Sequence, residues 1–444
     1  MSNPHVSVSY RSALRVAAVF ALTVGALIAL PGAYAAETDT DEMTVEERLE
    51  ALEKQAKESE EAEKAEKSTA KSWADKIEIL GDLRLRYEGF YWPDKFDDDR
   101  RDRFRYRLRL GFKAHLHETL NLGIELRSGN FRDAVSDNTS FDGAGTKDEI
   151  AIAQAFVNYR PVKDFWVQAG KSSPKKLWHV SDMAWDDDAV VNGLILAYDR
   201  SRDGFIKQAD VRGYGFVLEE SGSGHDSYWL GFQGGPTFSL SKKNSLLIGA
   251  GYDHVTNPVE VAKNSSGFND DALFGGNAVT NLVIFDINGE AQDLVSDFRI
   301  VNLYAEWKYK ASKQWPLKAS LFYYKNLGAG DEFGIDPTTE GASSLSKGTD
   351  NDTGFYFRLQ VGDYKKFKQM AFRYSRYDSK PDALFYAFTQ SDTIRASNVE
   401  ANRFDFRIGM PLKGYINVTW YNARPKTGDD STMDRWQFDY IFRF

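Results

Sequence analysis

From Phe104 to Leu110 every even position is apolar and every odd position is arginine. Side chains along a strand alternate sides, so this run has one apolar face and one cationic face. A helix would scatter the same arginines around its whole circumference. The same parity recurs in Leu120, Leu122, Ile124 and Leu126, in Phe355, Phe357, Leu359 and Val361, and in Phe404, Phe406, Ile408 and Met410. The chain ends on Trp436, Phe438, Tyr440, Phe442 and Phe444 on one face, with Arg435, Gln437, Asp439, Ile441 and Arg443 on the other.

Alternation of this kind fits a soluble sandwich or a barrel in a bilayer. Long charged side chains crowd the polar faces here, and the apolar faces are unusually aromatic. The connections also alternate in length. Short turns fall near His117-Glu118, Pro161-Val162, Ser241 to Asn244, Ser312 to Gln314, Asp363 to Lys366 and Lys413-Gly414, and long ones near 129–148, 172–189, 257–295, 327–352 and 379–401. A water-filled lumen, a lipid-facing aromatic surface and a short-turn, long-loop rhythm belong to the transmembrane barrel. The expected fold is therefore all-β: a transmembrane antiparallel β-barrel over residues 73–444. About sixteen strands are expected, beginning near 77, 103, 119, 149, 163, 190, 207, 227, 245, 296, 316, 353, 367, 402, 415 and 433. A barrel of that size encloses an aqueous channel.

Two segments precede it. Residues 1–35 read as a secretory signal: Arg11 and Arg15, an apolar run from Val16 to Leu30, then Pro31-Gly32 and the small-residue site Ala33-Tyr34-Ala35. The run is shorter than the roughly 20 residues a membrane-spanning helix needs, which weighs against a retained anchor. Residues 36–72 read as a short charged helix. Thr44 to Glu47 fits a capping box, and Val45, Leu49, Leu52 and Ala56 make a brief coiled-coil seam. A solvated spacer and an oligomerising helix both fit it. Residues 37–67 hold 13 acidic and 5 basic residues, so most of the chain's net −9 sits there. A nearly neutral remainder gives no basic surface for nucleic acid. The chain has no cysteine, which excludes disulfides and thiolate metal sites.

Two constellations are candidates for function. Arg103, Arg105, Arg107 and Arg109 share one face of one strand, and Arg84, Arg86 and Arg127 join them from its neighbours. An arginine facing lipid near the midplane costs about 2–4 kcal/mol, so this face points into the lumen. The ladder either neutralises lumen acids such as Asp82, Glu88, Glu125, Asp405 and Asp439 or forms a basic wall that draws anions. The second constellation runs from Lys175 to Asp188. Leu177, Trp178, Val180, Met183 and Trp185 are too apolar for a loop in open water, so the loop is expected to fold inward. Its constriction acids are Asp182, Asp186, Asp187 and Asp188, and the triplet Asp186, Asp187 and Asp188 is then expected to face Arg105, Arg107 and Arg109. A solvated acidic loop is the alternative. His115-x-His117 lacks a third ligand, and the Gly231 to Gly235 and Gly249 to Gly251 pieces lack a following helix. No nucleophile–histidine setting, zinc motif or phosphate loop is present in the sequence, so no catalytic residue, metal or cofactor is expected.

With these segments placed, the chain resembles bacterial outer-membrane porins, nearest the "putative porin" family and more distantly the phosphate-selective porins. The resemblance rests on Arg103 to Leu110, Gln154 to Tyr159, Phe165 to Lys171 and the terminal Phe444. It implies passive diffusion of small hydrophilic solutes across the bacterial outer membrane, with no enzymatic activity. Phe444 would be part of the signal read by the barrel-assembly machinery. Outer-membrane lipid and lipopolysaccharide would surround a homotrimer. Phosphate-selective porins carry a basic third loop, whereas this one ends in three aspartates, which argues against phosphate specificity. The arginine-lined lumen leans the expectation toward anions. The alternative is a structural barrel whose N-terminal helix ties the envelope together, with peptidoglycan as partner.

Overall fold

The computed structural model describes residue 46, residues 49–60 and residues 75–444, apart from 94–98, 131–132, 177, 223–224, 265–278, 288–290, 336–344, 394–396 and 428–430. The expected signal sequence, 1–35, and most of the expected helical segment, 36–72, lie outside those residues. Within the first of two units, Met1–Lys71, residues 49–60 are helical, and Leu49 and Leu52 are about 60% exposed.

The second unit, Ser72–Phe444, is a closed barrel of sixteen antiparallel strands. In chain order they are β1 (Ile77–Tyr91), β2 (Arg100–His117), β3 (Leu120–Ser128), β4 (Ile150–Val162), β5 (Phe165–Ser172), β6 (Val191–Ser201), β7 (Ile206–Glu219) and β8 (Ser227–Ser241). The second half is β9 (Asn244–Val255), β10 (Phe298–Tyr309), β11 (Leu317–Asn326), β12 (Thr353–Gly362), β13 (Met370–Ser379), β14 (Val399–Gly409), β15 (Tyr415–Arg424) and β16 (Met433–Arg443). Each strand pairs with its sequence neighbour, and β16 returns to β1 with Arg443 opposite Asp82 and Asp434 opposite Tyr91. Closure removes the free edges that an open sheet would expose. Phe444 completes it: its amide donates to the Gly81 carbonyl at 3.2 Å and its carbonyl accepts from the Gly81 amide at 3.0 Å.

The alternating sequence decides which side faces what. Phe104, Ile124, Phe372, Phe404, Trp436 and Phe438 stand on the outer surface, all well exposed. Arg86, Glu88, Gln154, Gln168, Asp210, Gln233, Asp405 and Asp439 are buried on the inner one. This is the reverse of a water-soluble protein, and it suits a bilayer outside and water within. Aromatic rings continue from strand to strand on the outside: Tyr374–Phe404 at 5.1 Å, Phe404–Trp420 at 5.3 Å, Trp420–Trp436 at 5.8 Å and Tyr87–Phe104 at 5.2 Å. Such a belt belongs at the lipid–water boundary. No helix among the described residues is long and apolar enough to cross a membrane; the strands do the crossing.

Every strand begins within about three residues of its expected position, inside the tolerance of pattern reading. Short turns, 118–119 to 410–414, gather at the end holding both β1's start and the C-terminus. Outer loops at the other end are long, above all 129–149, 173–190, 256–297, 327–352 and 380–398. A closed hydrogen-bonded barrel resists detergent, so the unheated protein should run faster than the boiled one in detergent gels. Equal mobility would contradict the closed barrel.

Candidate functional site

Register builds the ladder. In the β1–β2 pair Asp82 faces Arg109, Arg84 faces Arg107, Arg86 faces Arg105 and Glu88 faces Arg103. Opposed arginines repel, so each needs a carboxylate, and most have one. Glu88 is fully buried and bridges Arg103, Arg105 at 3.3 Å and Arg435 of β16 at 2.6 Å. Arg86 binds Asp439 through two bonds of 2.6 and 3.1 Å. Arg107 reaches Asp82 at 2.6 Å, Arg109 reaches Asp137 at 2.6 Å, and Arg127 pairs with Glu125 and, at 3.1 Å, Asp137. All seven expected basic residues thus point inward. The ladder strand has no acid of its own, yet its neighbours supply several.

Residues 173–190 cross the bore. At one end the Asp188 carboxylate accepts from Arg107 at 3.4 Å, from Arg109, and from the Asp137 amide at 3.1 Å, while Arg127 donates to the Asp188 carbonyl at 2.7 Å. Across the lumen Asp182 meets Arg358 of β12 at 3.2 Å, Arg373 of β13 at 3.7 Å and Lys175 at 2.7 Å. His179 fixes a third point between Asp210 of β7 at 3.2 Å and Glu306 of β10 at 3.3 Å. Burial alone would lower the His179 pKa, but its two carboxylates hold it above the usual value.

The expectation that the aspartate triplet faces Arg105, Arg107 and Arg109 needs correction. Only Asp188 does so. Asp187 turns to Lys175 and stays exposed in the lumen, and Arg105 is taken by Glu88. Asp186 accepts from the amide and hydroxyl of Ser391, at 2.9 and 3.0 Å. One environment holds two neighbouring acids apart. Burial opposes the charge of Asp188, but Arg109 and Arg107 outweigh it and keep its pKa below the carboxylate range. Asp186 has no such cation; burial, Asp188 and Asp392 push it well above that range. Asp137, buried beside Asp188, is pushed up to about 6.

A second loop was not legible in the sequence. Residues 380–398 lock onto 173–190 from the other side. The Asp186 amide donates to the Phe388 carbonyl at 2.8 Å, the Gln390 amide to the Met183 carbonyl at 3.2 Å, and Trp185 stacks on Phe388 at 4.6 Å. The loop 256–297 supports this second loop: Asn281 donates to the carbonyls of Pro381 and Leu384 at 2.6 and 2.8 Å. Asp382 is fully buried and accepts from Ser296 at 2.5 Å. Asp392 reaches the arginine wall, accepting from Arg435 at 2.9 Å and from Arg86 at 3.5 Å. Against the loops lies a cavity of about 410 Å³, lined by Arg84, Arg107, Arg109, Asp187, Arg403 and Arg443 among others.

A membrane-spanning barrel whose polar bore is crossed by charged loops is a channel-forming class of protein. The chain belongs to the "putative porin" family, whose model matches residues 90–444. A comparison with curated proteins finds no match. Among solved structures the chain is similar to OprB of Pseudomonas putida, with 11% identity, a TM-score of 0.51, and coverage of 85% of this chain and 96% of that one. OmpF of Salmonella typhi, in complex with daunomycin, gives 12% identity, a TM-score of 0.47, and 83% and 97% coverage. The DcaP channel of Acinetobacter baumannii gives 12% identity, a TM-score of 0.43, and the same coverage. The likeness to OprB supports the barrel fold; family membership supports an outer-membrane channel.

Proposed function

We propose that this porin passes small hydrophilic solutes by passive diffusion, with a mild preference for anions. The observation that carries the reading is the pair of loops crossing the bore beside a cation-rich cavity. Eight basic and six acidic side chains line that cavity. A charged ring in a narrow bore favours the opposite ion. The pore-lining role of Arg84, Arg86, Arg103, Arg105, Arg107, Arg109 and Arg127, and the constriction role of Asp182, Asp186, Asp187 and Asp188, belong to this proposal. So do cleavage after Ala35, a trimer, and recognition of Phe444 during assembly.

The test is the purified protein in planar bilayers. Stable single-channel currents are expected, with a reversal potential of anion-selective sign in a potassium chloride gradient. A cation-selective sign would overturn the preference. Absence of any current from folded protein would overturn the channel.

A further inference from the structure

Most arginines of the β1–β2 wall have their own carboxylate, but three lumen arginines at the short-turn end do not. Arg84 donates to Asn138, and its Nε is buried with no partner. Arg443 donates to the Tyr415 hydroxyl at 3.4 Å. No carboxylate of the described residues lies within 4 Å of either arginine, the limit for an ion pair. Arg407 reaches Asp405 at 3.4 Å, but that carboxylate is already held through paired bonds by Arg373 and Arg403.

The three are neighbours around the barrel. Tyr415 of β15 faces Ile441 of β16, which faces Arg84 of β1, and Arg443 lies two residues further along β16. Two tyrosines organise the cations. Arg443 lies 4.7 Å over the Tyr415 ring and Arg407 lies 5.1 Å over the Tyr364 ring. Those rings are 4.8 Å apart, and Arg407 donates to the Tyr364 hydroxyl at 3.2 Å. Arg84, Arg407, Tyr415 and Arg443 all line the cavity described above.

Like charges gathered in a confined, weakly screened space repel, and a mobile counter-ion relieves that repulsion. Elsewhere on the wall fixed carboxylates do this. A guanidinium offers a planar fork that matches two oxygens of one anion, and stacking on tyrosine holds that fork in place. Chloride is a single acceptor atom and does not match the two arms of the fork with two oxygens. We propose that Arg84, Arg407 and Arg443, with Tyr415, form a docking station for a small oxyanion, a carboxylate or phosphate, between the constriction and the short-turn mouth. The station rests on the reading of the chain as a diffusion channel: oxyanions pause there and slow the passage of smaller ions.

Single-channel chloride current through the full-length protein tests this, with succinate and inorganic phosphate added separately from the short-turn side. At least one should reduce the chloride current in a concentration-dependent way, and the stronger blocker identifies the oxyanion. The double variant R84Q/R443Q should weaken the block about tenfold. R443K keeps the charge without the fork and should fall between; it also decides the matter if the double variant does not fold, as read by its heat-shifted gel mobility. R424Q, at the opposite end of the barrel and paired with Glu400, should leave the block unchanged. Chloride current that neither oxyanion reduces, or a block that R84Q/R443Q and R443K leave intact, overturns the station while leaving the channel standing. Absence of current would instead refute the channel itself.

Discussion

Replacing Asp188 by asparagine should shift the reversal potential further toward anions and make the current noisier. Asp188 is 8% exposed and answers Arg107, Arg109 and the Asp137 amide together. Removing one partner of a buried ion pair costs about 3–5 kcal/mol. The lower end applies here, because Arg107 keeps Asp82 and Arg109 keeps Asp137. The asparagine still fits the space, so the barrel should assemble and show its normal heat-shifted mobility. What changes is the end of residues 173–190 fixed at the arginine wall: one negative charge is lost and two guanidiniums are freed toward the lumen. Bilayer recordings in a salt gradient measure both effects. An unchanged reversal potential and quiet current would mean that solutes pass elsewhere in the bore. Asp187→Asn is the useful contrast. Asp187 is exposed and faces Lys175, so its loss should alter selectivity with little effect on noise.

The second large effect is expected from Trp185→Ala. Trp185 is 3% exposed, stacks on Phe388 at 4.6 Å, packs tilted against Trp229 at 4.8 Å and meets Trp178 edge-on at 5.4 Å. It is the apolar joint between loop 173–190, loop 380–398 and the wall at β8. Truncating a buried tryptophan costs about 3–5 kcal/mol, which is large beside the stability of two loops. The hydrogen-bonded strand ladder does not depend on this side chain, which meets the wall at Trp229 of β8, so gel mobility and strand circular dichroism should be unchanged. Single-channel conductance should rise and flicker as both loops leave the bore together. If conductance stays at the parent value, polar anchors at Asp182 and Asp188 hold the loops alone and the aromatic joint is redundant.

Alternation made the barrel legible. In a strand parity is fixed by the backbone, so Arg103, Arg105, Arg107 and Arg109 had to share a face with no knowledge of the neighbours. Lipid on one side forces that face inward, so the orientation followed as well. The strand positions followed because turn residues punctuate the runs. Even the inward fold of residues 173–190 could be read from Trp178, Met183 and Trp185, whose apolar area had no other place to go.

Partner choice was not legible, because it depends on register and on contacts between distant segments. Nothing local says that Glu88 would serve four arginines, Arg86, Arg103, Arg105 and Arg435; that needs β1 placed between β2 and β16. Asp186 and Asp188 are two residues apart and chemically identical, yet one meets Arg109 and the other meets Ser391, from a loop some two hundred residues away. The loop 380–398 looked like any long connection: its buried run Ala383 to Phe388 is apolar, but only closure of the barrel puts a partner within its reach. The sequence by itself determined the faces of the strands, through the one-residue alternation of the backbone, and the approximate strand count, through the turn residues that punctuate the runs. Only the tertiary structure decided which lumen charges cancel and which, like Arg84 and Arg443, are left for a mobile ion, because that balance is struck between strands brought together by closing the ring.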